Sequence, residues 1–437
     1  MFSKIIQWFR RLFDKTGAMP PNIEKDQNAS SLHEKKYADA KGFNLTATIS
    51  SKLSGATCSD ATISIASTNP SPRTKLLKDA LQGCVTKLPR IVARAFGTGG
   101  VILKPYVVNG RMYTEVLPQS SYFPINQIGE VVSKAGLVAD TATIGYSEYT
   151  RIEYHALGDD GTYVIENKAF KNDAEVPLGT IPQWANIAPV AERTGVERML
   201  FAFIKCPTDS RAERESLYGV PVTYGCDDLI EEITKLLEEM QKEFELKRTF
   251  VGADIELFDA SDALVRSGLY KTFDHTPIEL QTSPFFQVFS PGIREQSYIN
   301  GIEFKLSQLE KAIGVNKGIL TDLDTADATA TAIRRSTLDT YNLVDAMRAN
   351  IEEGIRQLVY AFDVHATAGG GGTPSDGEYE VSFEWSYGLL EDSAETWAQL
   401  KEGLAMGVVR PEEVRVFLFD EEEETAKANL PKVVDVV

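Results

Sequence analysis

The chain has 437 residues, is 43% hydrophobic and 25% charged, and carries a net charge of −18. That length predicts roughly two to four domains with ample core, the composition is that of a soluble folded chain, and no apolar run reaches bilayer-spanning length. The acidic balance argues against tight, sequence-specific binding of DNA, which takes Lys and Arg against phosphates; it does not exclude a surface past which DNA slides, and its plainest meaning is solubility.

Met1–Lys15 lacks the apolar core and cleavage site of a signal peptide. Phe2, Ile5, Ile6, Phe9, Leu12 and Phe13 make one apolar stripe beside Lys4, Arg10, Arg11 and Lys15. This pattern predicts an amphipathic helix, suited to a membrane surface or, as we read it, to an arm on a neighbouring subunit. Thr16–Pro72 is rich in Ser, Thr, Ala, Asn and Lys, which predicts a mobile segment joined to one short helix. Lys75–Phe96 has helical spacing with a bend expected at Pro89, and the glycines at 97, 99 and 100 end it.

From Val101 to about Val190 short β-rich runs alternate with turn signals: Val101–Leu103, Met112–Val116, Arg151–Tyr154 and Tyr163–Ile165, separated at Asn109-Gly110, Gly129 and 158–161. An antiparallel sheet is expected there, with a further strand at Met199–Ile204. The four cysteines form no CxxC, which predicts free thiols in a reducing compartment.

Asp227 opens a strongly acidic helix reaching about Arg248. Its apolar face is Leu229, Ile230, Ile233, Leu236, Leu237, Met240 and Phe244, and Asp227 and Asp228 sit where the helix dipole favours acids. A turn-rich excursion follows, Phe250–Arg294, with strand-like 254–258 and a possible partner at Glu279-Leu280. Phe285, Phe286, Val288 and Phe289 form a dense apolar group that so short a segment cannot bury alone; they need a neighbour, such as a second copy. A return helix spans Glu295–Ile313. The polar loop Gly314–Asp327 carries Lys317, Asp322 and Asp324, whose acid spacing fits no EF-hand. A helix of about 57 Å then runs Ala328–His365, with an apolar stripe including Val344, Met347, Ile351, Ile355, Leu358 and Phe362 and a bend expected at Gly354. Gly369–Gly372 leads to a strand at Glu380–Trp385 and helices at Ser393–Gly407, Pro411–Leu418 and beyond Glu424.

No phosphate loop, HExxH, GxSxG or GxGxxG is present, and His33, His155, His275 and His365 are scattered. No catalytic, cofactor-binding or metal-ligating set is therefore assigned, and no enzymatic activity is expected. Paired carboxylates say little in a chain with 63 acidic residues, although a hydrolase using an acidic pair stays open as an alternative.

Several motifs occur in a telling order: 97–106 (GTGGVILKPY), Tyr122-Phe123-Pro124, Arg151, Glu153 and His155 with Tyr163–Asn167, Tyr218-Gly219-Val220-Pro221 before the acidic helix, and Thr329-Ala330-Thr331 at the long helix. In that order the chain, from about Lys75 to its end, resembles the portal proteins of tailed bacteriophages, in the branch of the long-tailed siphophages. The resemblance implies an α+β subunit with stem, clip, wing and a short crown, assembled as a ring of about twelve copies at one capsid vertex. On it, residues 1–74 are an N-terminal arm and mobile segment, 75–224 wing, 225–249 and 295–313 the stem helices, 250–294 the clip, 314–327 the tunnel loop, 328–388 the long wing helix with its strand, and 389–437 the crown. The implied partners are the packaging terminase, head-completion or adaptor proteins, major capsid and scaffolding proteins, and double-stranded DNA passing without sequence preference. No membrane and no cofactor are implied, and the location is the virion vertex, with host cytoplasm during assembly. Glu231, Glu238, Glu239, Lys317, Asp322 and Asp324 are the candidates for a channel wall. Phe285, Phe286, Val288 and Phe289 are the candidates for contacts between clips. Another virion adaptor or minor capsid protein is the first alternative.

Overall fold

In the computed structural model, residues 23–39, 43–67, 71–108, 110–128, 131–171, 174–210, 216–246, 250–254, 270–273, 286–289, 292, 294–321, 330–368, 379–385, 393–419, 421 and 423–430 are described. The fold is mixed α+β, 51% helical and 26% strand, so neither class dominates enough to call it all-α or all-β. The predicted amphipathic stretch Met1–Lys15, the strand at 255–258, its partner at 279–280 and the glycine run 369–372 lie outside the described residues.

The N-terminal part corrects an expectation. In place of a mobile segment with one short helix, Thr16–Pro72 contains α1 (Ile23–Ala38), α2 (Leu45–Cys58) and β1 (Thr62–Ser67). Asn44 joins the two helices. Its side-chain oxygen caps α2 by accepting from the Ala47 amide at 3.0 Å, while its amide nitrogen donates to the Lys36 and Asp39 carbonyls at the end of α1, both at 2.9 Å. Polar α2 is core because its hydroxyls are satisfied locally. Ser50 donates to the Thr46 carbonyl at 2.7 Å and Thr57 to the Leu53 carbonyl at 2.8 Å, which lets both pack beside Leu45, Ile49 and Leu53.

The helix expected over Lys75–Phe96 is two: α3 (Pro72–Val85) and α4 (Leu88–Thr98). Pro89 has no N–H, and its ring would collide with the Val85 carbonyl of a continuous helix, so the chain breaks and restarts instead of bending. Gly99 closes α4 at φ 99°, with its amide on the Ala95 carbonyl at 2.9 Å. Its backbone lies directly against that of Gly219, and a Cβ on either residue would enter the other's peptide.

Strands then follow: β2 (Gly100–Val108), β3 (Arg111–Pro118), β4 (Tyr122–Ile128), β5 (Val131–Ile144), β6 (Ser147–Leu157), β7 (Tyr163–Lys171), β8 (Ala174–Val176), β9 (Val190–Arg193) and β10 (Ala202–Lys205). The expected antiparallel region is present as two sheets. One has the order β10-β2-β3. The other runs β4-β5-β6-β7-β8, with β9 also on β7. Phe123, Leu137, Ile152 and Tyr163 of the larger sheet are buried in one apolar cluster, Leu137 and Tyr163 from one face and Phe123 and Ile152 from the other, and Trp184 anchors a smaller cluster at its edge.

The acidic helix is α5 (Asp227–Leu246). It is followed by β11 (Phe250–Asp254), β12 (Tyr270–Phe273) and β13 (Phe286–Phe289), then α6 (Glu295–Ile313), α7 (Ala330–Ala368) and β14 (Tyr379–Glu384). The small sheet has β11 in its centre, parallel to β12 and antiparallel to β13. Helix α7 crosses the whole body. Val344, Met347, Ile351, Ile355, Leu358 and Phe362 are all fully buried, as their three-four spacing predicts. The helix runs unbroken through Gly354. Strand β10 presses on the helix there, and a Cβ at that position would stand 2.6 Å from Cγ1 of Ile204. Strand β14 pairs antiparallel with β1, Ile63 opposite Phe383, so the chain after the long helix closes on its N-terminal part. The described chain ends with α8 (Ser393–Ala405), α9 (Pro411–Phe419) and α10 (Glu423–Ala428).

Candidate functional site

Helices α5 and α6 form an antiparallel hairpin that carries the β11–β13 sheet at its far end. Ile233 and Leu309 are fully buried, and Leu229, Leu237, Ile302 and Leu306 pack on the same core. Two ion pairs set the register. Glu232 holds Lys305 at 2.5 Å near the base, and Glu243 holds Arg294 at 3.1 Å near the tip. From the first pair to the second, each helix advances about three turns, so both pairs lie along one flank of the hairpin. The lysine and arginine contacts hold the two carboxyls below the usual carboxylate range.

Glu231, Glu238 and Glu239 are all exposed; Glu231 and Glu238 face away from the seam, while Glu239 lies on the ion-pair flank between Glu232 and Glu243, near enough to Arg294 to act on its charge. They do not make a uniformly acidic wall. Glu231 pairs with Lys235 at 2.7 Å, and at helical spacing Glu231, Lys235, Glu238, Lys242 and Glu245 form one stripe of alternating sign. Glu239 lies on the adjoining stripe with Asp228. The hairpin also leaves apolar surface open: Phe244 is 46%, Ile299 40% and Phe304 64% exposed. Phe304 is two residues from Ile302, and at about 100° per residue it faces away from the seam. Phe286, Val288 and Phe289 lie in β13; Phe285 is outside the described residues.

The loop after α6 is clamped at its root by a residue the sequence did not single out. Glu310 is 1% exposed. Its Oε1 accepts the amides of Gly318 (3.2 Å), Leu320 (2.7 Å) and Thr321 (3.1 Å), and its Oε2 accepts the Thr321 hydroxyl at 2.9 Å. The Asn316 amide donates to Thr340 Oγ1 on α7 at 2.8 Å, and Lys52 of α2 donates to the Ile319 carbonyl. Lys317 stands exposed on this loop; Asp322 and Asp324 lie outside the described residues. A carboxylate beside Leu309 in an apolar stripe was the available signal for Glu310, but it is a faint one among so many acids.

A second polar site joins the two sheets. Lys104 of β2 binds Glu153 of β6 at 3.0 Å to both oxygens, and Glu115 of β3 at 2.9 Å. Arg151 also binds Glu153. The Tyr163 hydroxyl accepts the Leu200 amide at 3.0 Å and donates to His155 Nδ1 at 3.0 Å, which leaves His155 Nε2 to donate to Glu153 at 3.3 Å. Burial alone would raise the Glu153 carboxyl, but Lys104, His155 and Arg151 outweigh it and hold it well below its usual range. Burial lowers His155 and pushes His365 down to about 4, keeping both imidazoles neutral at pH 7. With Glu153, His155 and His365 each shifted further from pH 7 than usual, the cluster serves as a structural tie rather than as a proton-transfer site. Arg151, Glu153 and His155 alternate along one strand, and that spacing was visible in the sequence; their convergence with Lys104 and Tyr163 was not.

Burial raises the thiols of Cys58, Cys84 and Cys206 to about 11, and none of the four cysteines is in a disulfide. Among the described residues no helix is long and apolar enough to cross a membrane, and no three acidic, His or Cys residues group as metal ligands. Comparison with protein-family models and with curated proteins finds no match for the chain.

Proposed function

We propose that this chain is the subunit of a ring-shaped DNA conduit of the phage-portal type, with α5 and α6 as stem, β11–β13 as clip, the loop after Gly314 as tunnel loop, and α7 with the strand layers as wing. The observation that carries this reading is the α5–α6 hairpin. Ion pairs at both ends lock it internally, it presents a small separate sheet at its tip, and it still leaves Phe304, Ile299 and Phe244 open to water. Apolar surface of this kind on a well-sealed helix pair is supplied with a partner when identical hairpins stand side by side. The chain's net charge of −18 suits a wall that a polyanion passes without sticking. The part after residue 389 is a short crown on this reading.

In the ring, the terminase and later the head-completion proteins would meet the clip, with capsid and scaffolding proteins against the wing. ATP hydrolysis would belong to the separate motor, and the subunit itself would act as a passive conduit at the virion vertex. Sedimentation velocity tests the carrying observation. The unaltered chain is expected as a large assembly, and Phe304→Asp as smaller species with unchanged circular dichroism. An assembly that ignores this change counts against the hairpin as the contact.

A further inference from the structure

Beside the Lys104–Glu153 cluster lies a cleft of about 640 Å³, within the range in which proteins hold ligands. Two guanidinium groups line it with donors to spare. Arg151 gives one Nη to Glu153 and to Asn167, the latter at 2.8 Å, and Arg193 gives one Nη to the Glu192 carbonyl at 2.8 Å. The Nε of each is buried without a partner among the described residues, and the second Nη of each makes no hydrogen bond there either. Buried donors in this state are rare; both Nε atoms are closed to solvent, so the second Nη of each guanidinium is the donor that an acceptor entering the cleft would meet. The anions nearby are already committed. Glu153 serves Lys104, Arg151 and His155, and Glu115 serves Lys104. Asp140 takes the Trp184 indole at 2.8 Å and the Thr141 amide at 2.8 Å. His365, at the same cleft, is neutral and adds no charge of its own at pH 7.

The apolar side of the cleft continues out of it. Tyr106, Val107 and Val108 line it and are 40%, 50% and 46% exposed, and Tyr106 stacks on Tyr113 with ring centroids 5.4 Å apart. A small enclosed molecule would leave that rim in water, whereas a peptide crossing it would not. We propose that the cleft receives an acidic peptide segment: a carboxylate bound by Arg151 and Arg193, with a neighbouring apolar side chain laid along Tyr106–Val108. Planar guanidinium groups suit a carboxylate through paired N–H donors. This holds for the single subunit and is independent of whether rings form.

Calorimetric titration of the full chain tests it, with three probes: an N-acetylated, C-amidated Leu-Asp-Leu tripeptide, its Leu-Asn-Leu counterpart, and acetate. The Asp peptide is expected to bind at least about tenfold more tightly than the Asn peptide. Arg193→Gln should shrink that ratio to about twofold or less, and Arg193→Lys should restore part of it. If Arg193→Gln does not fold, the comparison of the two peptides on the unaltered chain still decides. Equal binding of both peptides, or none at millimolar concentration, overturns the proposal. Acetate binding as tightly as the Asp peptide overturns the peptide as occupant and assigns the cleft to small carboxylates.

Discussion

Glu310 holds Thr321 twice, by the backbone amide at 3.1 Å and by the hydroxyl at 2.9 Å. With Gly318 and Leu320 on the same carboxylate, the last turn of α6 fixes where the following loop leaves the body. Glu310→Ala strands three amides in a buried place, and the expected loss is about 3 kcal/mol, measured by urea unfolding. Glu310→Gln keeps one acceptor oxygen and should lose about 1 kcal/mol. Amide exchange at Gly318, Leu320 and Thr321 should accelerate in the Ala variant before global unfolding does; unchanged exchange would show that the carboxylate is not the clamp.

His365 makes stability depend on pH in a stated direction. Its folded pKa, about 4, lies below the ordinary 6.5. The unfolded chain therefore takes up the proton first as pH falls. The contribution of His365 is complete above about pH 6.5 and is lost progressively between there and about pH 4, on the order of 3 kcal/mol in all. Urea midpoints between pH 7 and pH 4.5 should fall less steeply in His365→Asn. An identical slope in both proteins would remove His365 from the account.

Gly354 offers a test in which helix propensity predicts the wrong sign. Ala is favoured over Gly by about 1 kcal/mol inside a helix, yet a Cβ here would stand 2.6 Å from Ile204. Gly354→Ala should therefore lower the melting temperature. Combined with Ile204→Ala, which empties the space, it should cost clearly less than the sum of the single changes. Stabilisation by Gly354→Ala alone would mean that β10 does not press on α7.

The alternating stripe on α5 sharpens the charge argument. Glu231 is neutralised locally by Lys235, so Glu238 and Glu239 are the better candidates for facing a passing polyanion. Glu238→Lys with Glu239→Lys should slow DNA packaging or ejection in particles assembled from the variant, and Glu231→Lys should do so less. Equal transit in all of them would exclude this face of α5 from the channel wall.

Much of this architecture was legible where apolar spacing was strong. The bounds of α6 coincide with those read from the sequence, and the buried stripe of α7 is the one its spacing predicted. Where polar residues do apolar work, reading failed. The hydroxyls of Ser50 and Thr57 turn back to their own helix, so a segment that looks mobile by composition forms core. Strand β5 was missed because Ala135, Gly136, Ala139 and Ala142 carry little β signal; it is defined by pairing on both sides with β4 and β6. The cleft beside Glu153 draws Arg151, Arg193 and His365 from two strands and the long helix, a convergence that tertiary packing alone creates. The channel candidates Asp322 and Asp324 and the clip candidate Phe285 fall outside the described residues.

The central claim is that this subunit builds a ring, and native mass measurement of the full chain joined to negative-stain imaging tests it most directly. The account predicts closed rings of about a dozen copies with a central hole wide enough for duplex DNA. A chain that stays monomeric at every concentration, with no annular particles in the images, would contradict it.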